Sequence, residues 1–158
     1  MKKTSLVLAG LVATPATAGT ISVTIPRLNV AEYHRPYVAA WVEPTGGGAA
    51  QTIFVWYDVK LQGREPGTKW LSDLRTWWRK GGRSLKLPAD GVSSATRAPG
   101  THKIALPATL KPGQYTLYVE AARETGGREI VSIPLQVPAK GASATGKSEL
   151  GAITISAR

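Results

Sequence analysis

The chain contains no cysteine, which excludes disulfide staples and any thiolate metal site, even in a compartment that would permit bridges. Histidine is nearly as scarce. His34 and His102 stand far apart and, with no cysteine to complete a set, are expected to be ordinary hydrogen-bonded histidines. No nucleophile elbow, metalloprotease helix or phosphate loop occurs, and no internal repeat is visible. Past the amino terminus no stretch reaches the roughly 20 apolar residues that span a bilayer. Acidic residues number 10 against 20 Lys and Arg, for a formal charge of +10. The cations form no single dense run, so the basic balance reads as a soluble surface that attracts anionic cofactors or envelope components.

What is present begins with an export signal. Met1-Lys2-Lys3 supplies a charged n-region, Ser5 to Ala13 an apolar h-region, and Ala16-Thr17-Ala18 a small-residue cleavage site. Residues 1–18 are therefore expected to be removed, leaving one domain over residues 19–158 in the periplasm, not embedded in the membrane. Loss of Lys2 and Lys3 lowers the formal charge from +10 to +8. An exported protein seldom meets nucleic acid, so none is expected as partner.

The mature chain reads as short strands punctuated by Gly and Pro. Thr20–Ile25 alternates apolar and polar residues. Tyr37–Glu43 follows, ended by Pro44-Thr45-Gly46-Gly47-Gly48. Gln51–Val59 is expected to place Ile53, Val55, Tyr57 and Val59 on one face and Phe54 and Trp56 on the other. Gly113–Arg123 and Glu129–Val137 form a hairpin around Thr125-Gly126-Gly127, and Ile153–Ser156 closes the chain. Residues 138–147 read as a small-residue loop. Six or seven such strands give an all-β, immunoglobulin-like two-sheet β-sandwich.

One short Trp-rich helix is expected between strands, from Thr68, which would cap it, to about Lys80, stopped by Gly81-Gly82. Trp70, Leu71, Leu74, Trp77 and Trp78 make a broad apolar face, which packing alone would use to close one end of the sandwich. Three tryptophans are more than packing usually requires.

The candidate for chemistry is the loop Asp90-Gly91-Val92-Ser93-Ser94-Ala95-Thr96, bounded by Pro88 and by Pro99-Gly100. Its small side chains leave the Thr96 hydroxyl open, and such a hydroxyl is a nucleophile once its proton is taken. The same residue types also make ordinary turns. The run resembles the flavinylation motif Asp-x-x-(Ser/Thr)-Gly-Ala-Thr of FMN-carrying subunits of Rnf complexes and sodium-pumping NADH:quinone oxidoreductases. Asp90, Ser93, Ala95 and Thr96 match it, and Ser94 stands where glycine is preferred. Asp73 to Arg79 and Arg97-x-x-Gly100-x-His102 further resemble a periplasmic family of unknown function, encoded beside PepSY-domain membrane reductases and ApbE-type flavin transferases.

The resemblance implies an electron carrier with FMN esterified to Thr96 by an ApbE-type transferase and electrons arriving from a PepSY-type membrane reductase. Asp90, Ser93, Ser94, Ala95 and Arg97 would then surround the attachment point. Trp77 and Trp78, a short connection away, are expected to border the flavin ring. Arg75, Arg79, Arg83 or Arg97 are expected to offset its phosphate. The alternative is a non-redox binding or structural sandwich whose tryptophan patch takes a partner protein or glycan.

Overall fold

The computed structural model describes residues 18–157. The export signal expected over residues 1–18 lies outside them, Ala18 excepted. The alternating stretches become β1 (Thr20–Ile25), β2 (Tyr37–Pro44) and β3 (Gln51–Trp56). After the helical segment come β4 (Ser93–Ser94), β5 (Gly100–Ala105), β6 (Gly113–Ala122), β7 (Arg128–Val137), β8 (Ala142–Thr145) and β9 (Ala152–Ser156).

The strands form a four-stranded sheet in the order β5-β1-β9-β8 and a five-stranded sheet in the order β4-β3-β2-β6-β7. Ile21, Val23 and Ile25 of β1 and Ile153 and Ile155 of β9 face Val38, Ala40, Val42, Leu117, Val119 and Ile133 across the interior. The chain is an all-β two-sheet sandwich, as its alternation predicts. Three strands have no counterpart in the sequence reading: β4 lies in the loop expected over 90–96. β5 pairs with β1 along its whole length, and β8, within the stretch expected to be a loop, pairs with β9.

β2 is apolar on both faces. Val38, Ala40 and Val42 enter the sandwich core, whereas Ala39 and Trp41 join Val55, Tyr57, Leu71, Leu74 and Trp77 in a second cluster. The helical segment therefore covers the outer face of the five-stranded sheet as a third layer, and does not close an end of the sandwich. Ile53 also departs from expectation. The β2–β3 register shifts between Ala40 and Trp41, leaving Ile53 as the extra residue of a bulge. Parity flips there, and Ile53 faces the sandwich core beside Phe54, not with Val55.

The expected helix is broken in two. A 3-10 segment runs Gly67–Asp73, and a five-residue α-helix, α1 (Arg75–Arg79), follows a kink at Leu74. Thr68 caps neither, since Pro66 holds the N-cap position of the first. The buried residues Leu71, Leu74 and Trp77 recur every third position, the spacing a 3-10 segment eclipses onto one line. The break is fixed from outside: the buried Glu120 carboxylate of β6 accepts the backbone N–H groups of Thr76 and Trp77. A helix so short is marginal alone, and burial of Leu71, Leu74 and Trp77, at roughly 1.5–3 kcal/mol each, holds it down.

Candidate functional site

The loop carrying Thr96 is pinned on both sides of that residue. Before it, the N–H of Val55 donates to the Val92 carbonyl at 2.9 Å and that of Tyr57 to the Ser94 carbonyl at 3.0 Å, so β4 extends the sheet in parallel with β3. Ser93 closes the preceding turn. Its Oγ accepts from Ala89 N–H at 3.0 Å while its own N–H donates to the Ala89 carbonyl at 2.9 Å. After Thr96, the Nε2–H of His102 donates to the Ala98 carbonyl at 2.7 Å. Arg97 donates to Ser94 Oγ at 3.3 Å and lays its guanidinium 5.4 Å from the Trp56 ring. Arg97 thus braces the loop from outside.

Positive φ in this turn falls on Gly91, at 71°. Ser94, the departure from the flavinylation pattern, is paired in β4, and Thr125 is the one non-glycine residue with positive φ among the described residues. Serine is therefore unstrained where the pattern prefers glycine. Asp90 is exposed and makes no hydrogen bond among the described residues. Ala95 is exposed and Thr96 half-buried; the Thr96 hydroxyl has no hydrogen-bond partner among the described residues.

Thr96 stands where two clefts meet. The larger, about 930 Å³, lies between the 33–37 segment, the chain leaving β3, the 3-10 segment and the β6–β7 turn. That volume is within the about 300–1,000 Å³ of small-molecule sites. The smaller, about 490 Å³, is lined by Arg35, Asp58, Val59, Lys60, Leu61, Ala95 and Thr96. Arg35, Asp58, Leu61 and Thr96 border both. Two cations, Arg35 and Lys60, line the smaller cleft together with one carboxylate, Asp58.

The larger cleft has aromatic walls of Tyr33, Tyr37 and Trp70. Burial pushes both phenols above their ordinary pKa of 10.0, so they are neutral. Tyr37 donates to the Gly67 carbonyl at 2.9 Å. The Tyr33 hydroxyl is sealed within the wall and has no partner among the described residues. One side of the cleft is held by Arg123, whose Nε and NH2 donate to Glu149 at 2.9 and 3.2 Å. The Glu149 carboxylate also accepts Gly127 N–H at 3.0 Å, so this ion pair fixes the β6–β7 turn.

The structure gathers Asp90, Ser93, Ser94, Ala95, Thr96 and Arg97 into one braced loop. It places Trp77 and Trp78 elsewhere. Trp77 is buried under the five-stranded sheet with its Nε1–H donating to Thr52 Oγ1 at 3.0 Å, and Trp78 packs half-buried beside the same cluster with Leu87 and Val92. Neither lines the clefts at Thr96. Of the cations expected near the phosphate, Arg75 lines the larger cleft and Arg79 and Arg83 line neither, while Arg35 and Lys60 are gathered from separate segments with no motif between them. His34 pairs with Glu32 at 2.9 Å and His102 with Ala98, so each is hydrogen-bonded on its own. No group of metal-ligating side chains occurs among the described residues, and no helix among them is long and apolar enough to cross a membrane.

Comparison with curated proteins and with solved structures returns no match. Residues 18–152 match the family model described as Predicted periplasmic protein (DUF2271), in agreement with the export signal read from the sequence. The chain belongs to this DUF2271 family of periplasmic proteins.

Proposed function

We propose that the protein is a periplasmic electron carrier with FMN held covalently on Thr96. The observation that carries this reading is the Thr96 hydroxyl itself: unengaged by the fold, on a loop braced at both ends, and opening on a cleft of about 930 Å³. The loop's likeness to the flavinylation motif supports the same reading.

The residues present suit the group. Arg35 and Lys60 would offset a phosphodiester on Thr96 by charge-assisted contacts. Asp90, exposed on the approach to the loop, is free to dock the transferase. In the attachment step Thr96 Oγ attacks the phosphorus of the FMN half of FAD, within an ApbE-type transferase whose metal polarises that phosphate. A threonine–phosphorus ester forms, the pyrophosphate linkage breaks, AMP leaves, and the hydroxyl proton passes to a base of the transferase. Bound there, FMN supplies the redox chemistry, and the protein supplies position and electrostatics. A covalent link suits an open cleft in the periplasm, where a loosely held cofactor would diffuse away. Donation by a PepSY-type membrane reductase follows from the family resemblance.

The test is co-expression with an ApbE-type transferase and FAD supply, then peptide mass analysis. The Thr96 peptide should gain one FMN residue, Thr96→Ala should gain none, and Asp90→Ala should be modified more slowly. A wild-type protein left unmodified where a known acceptor is labelled ends this reading.

A further inference from the structure

We infer that Trp70 is the side chain that stacks on a flavin ring carried by Thr96, with Arg75 as the cation at the ring's edge. The inference rests on the attachment proposed above and concerns where the ring goes.

A group on Thr96 has two clefts to enter. The smaller is lined by no aromatic side chain and sets Arg35 and Lys60 against the single carboxylate Asp58; its excess of cations suits an anion. The larger is of mixed charge, with Asp58, Asp73 and Glu124 among its walls as well as Arg35 and Arg75. Mixed charge favours neither sign and suits a neutral, flat heterocycle. Phosphodiester at the junction and ring in the larger cleft satisfies both.

Within that cleft Trp70 is the one exposed aromatic side chain, Tyr33 and Tyr37 being half-buried. Tyr37 is committed to Gly67 and meets Tyr57 edge-on with ring centroids 6.3 Å apart. Trp41, Trp56 and Trp77 are buried elsewhere. Trp70 is 37% exposed, and it and Leu61, at 43%, are two of five large hydrophobic side chains left exposed among the described residues. Both line this cleft. Scattered single exposures need no explanation, but two converging on one concave surface mark a binding wall.

The Trp70 ring already attracts a cation: Lys69 Nζ lies 5.4 Å from its centroid, drawn also by Glu65 at 2.6 Å. That pair is solvent-exposed, and exposed i,i+4 pairs contribute little, so the ammonium yields to a larger aromatic partner. Arg75 is exposed and forms no ion pair among the described residues. Its guanidinium is a donor available to the carbonyl edge of an isoalloxazine.

The test reads fluorescence, since an indole stacked on a flavin quenches its emission. Peptide mass first reports attachment at Thr96, and its absence counts against the proposed function alone. With attachment, emission of the loaded, folded protein is compared with the same protein in urea, where the tether keeps the flavin on the chain. Where Thr96 carries nothing, unmodified protein is titrated with free FMN to the same readout. Folding quenches the parent severalfold. Trp70→Leu recovers most of the emission, Trp70→Phe recovers part of it, Trp78→Leu stays as quenched as the parent, and Arg75→Gln shifts the flavin absorption band. Circular dichroism confirms the fold, and Trp70→Phe keeps the test open should the leucine variant unfold. Trp70 variants that fold and remain as quenched as the parent overturn the inference, as does recovery with Trp78→Leu instead.

Discussion

The Glu120 carboxylate accepts the backbone N–H of Trp77 at 2.8 Å, across 43 residues of sequence. Glu120 is fully buried on β6, and its other oxygen takes Thr76 N–H at 3.1 Å and the Arg128 guanidinium at 2.7 Å. One carboxylate thus starts α1, seats Trp77 and anchors β7. Removing it leaves the buried Trp77 N–H without an acceptor, while Arg128, 38% exposed, turns to solvent. A buried donor left unsatisfied costs about 1–3 kcal/mol. Glu120→Ala should lower the unfolding free energy read from urea melts by that much, and Glu120→Gln, which keeps the shape but offers a single acceptor oxygen, by less. A Glu120→Ala protein as stable as the parent would show that the bridge contributes nothing.

The strands that alternate apolar and polar residues, β1, β6 and β7, were legible because burial of one face dictates that pattern, and β2, buried on both faces, by its apolar run. β8 was not, because Ala142, Ser143, Ala144 and Thr145 carry almost no apolar contrast; its place comes from backbone pairing with β9. The Ile53 bulge was hidden because a register shift is decided by both strands together. The break at Leu74 was illegible for the same reason, its cause being Glu120. At the site, the chemistry of the Thr96 loop is local and could be read. Its companions Arg35, Lys60 and Trp70 come from three separate segments, and only folding brings them to the two clefts that meet at Thr96. The wealth of indole between Trp70 and Trp78 was visible in the sequence. Which indole stays open was not, since that depends on Leu71, Leu74 and Trp77 turning toward the sheet.

Ser94 tests whether departure from the flavinylation pattern matters. Its backbone is paired in β4 and its Oγ accepts from Arg97, so glycine there gains no conformational relief. Ser94→Gly should destabilise the protein by about 0.5–1 kcal/mol, the usual penalty for glycine within a strand, and free Arg97 from one contact. Attachment of FMN to Thr96 should be no faster. A stopped time course of peptide mass with purified transferase measures the rate, and a severalfold acceleration in the glycine variant would contradict this reading of the loop.

Glu129 makes stability depend on acid. Burial alone would raise its pKa, but backbone N–H groups of Lys147, Leu150 and Ser148 converge on the carboxylate and together hold it below the ordinary 4.5. A carboxylate with a depressed folded pKa contributes stability that is fully present above the unfolded value and lost as pH falls through the folded one. The melting temperature should therefore be flat in this contribution above about pH 5 and decline below 4.5. Glu129→Gln should melt lower than the parent at neutral pH, and the gap should narrow as pH drops. A gap that widens on acidification would assign the acid sensitivity to other groups.

Arg123 lines the larger cleft and pairs with Glu149, and their side chains are 7% and 6% exposed. Such a pair is costly to break and cheap to replace. Arg123→Ala leaves the Glu149 carboxylate buried without its cation and should cost about 3–5 kcal/mol. Replacing both, as in Arg123→Met with Glu149→Leu, removes the stranded charge and should recover most of that stability, because apolar groups of similar volume often substitute for a buried pair without loss. The double variant cannot restore one contact. Gly127 N–H donates to Glu149 Oε1 at 3.0 Å, and leucine offers it no acceptor. The β6–β7 turn then shifts while the sandwich stays intact, since the pair lies at the turn and not between the sheets. Denaturant midpoints should rank parent and double variant close together with Arg123→Ala far below. Emission of the flavin-loaded double variant should rise above that of the parent, as the wall of the cleft loosens around the ring. Parent-like quenching at parent-like stability would mean that the wall does not shape the flavin's environment.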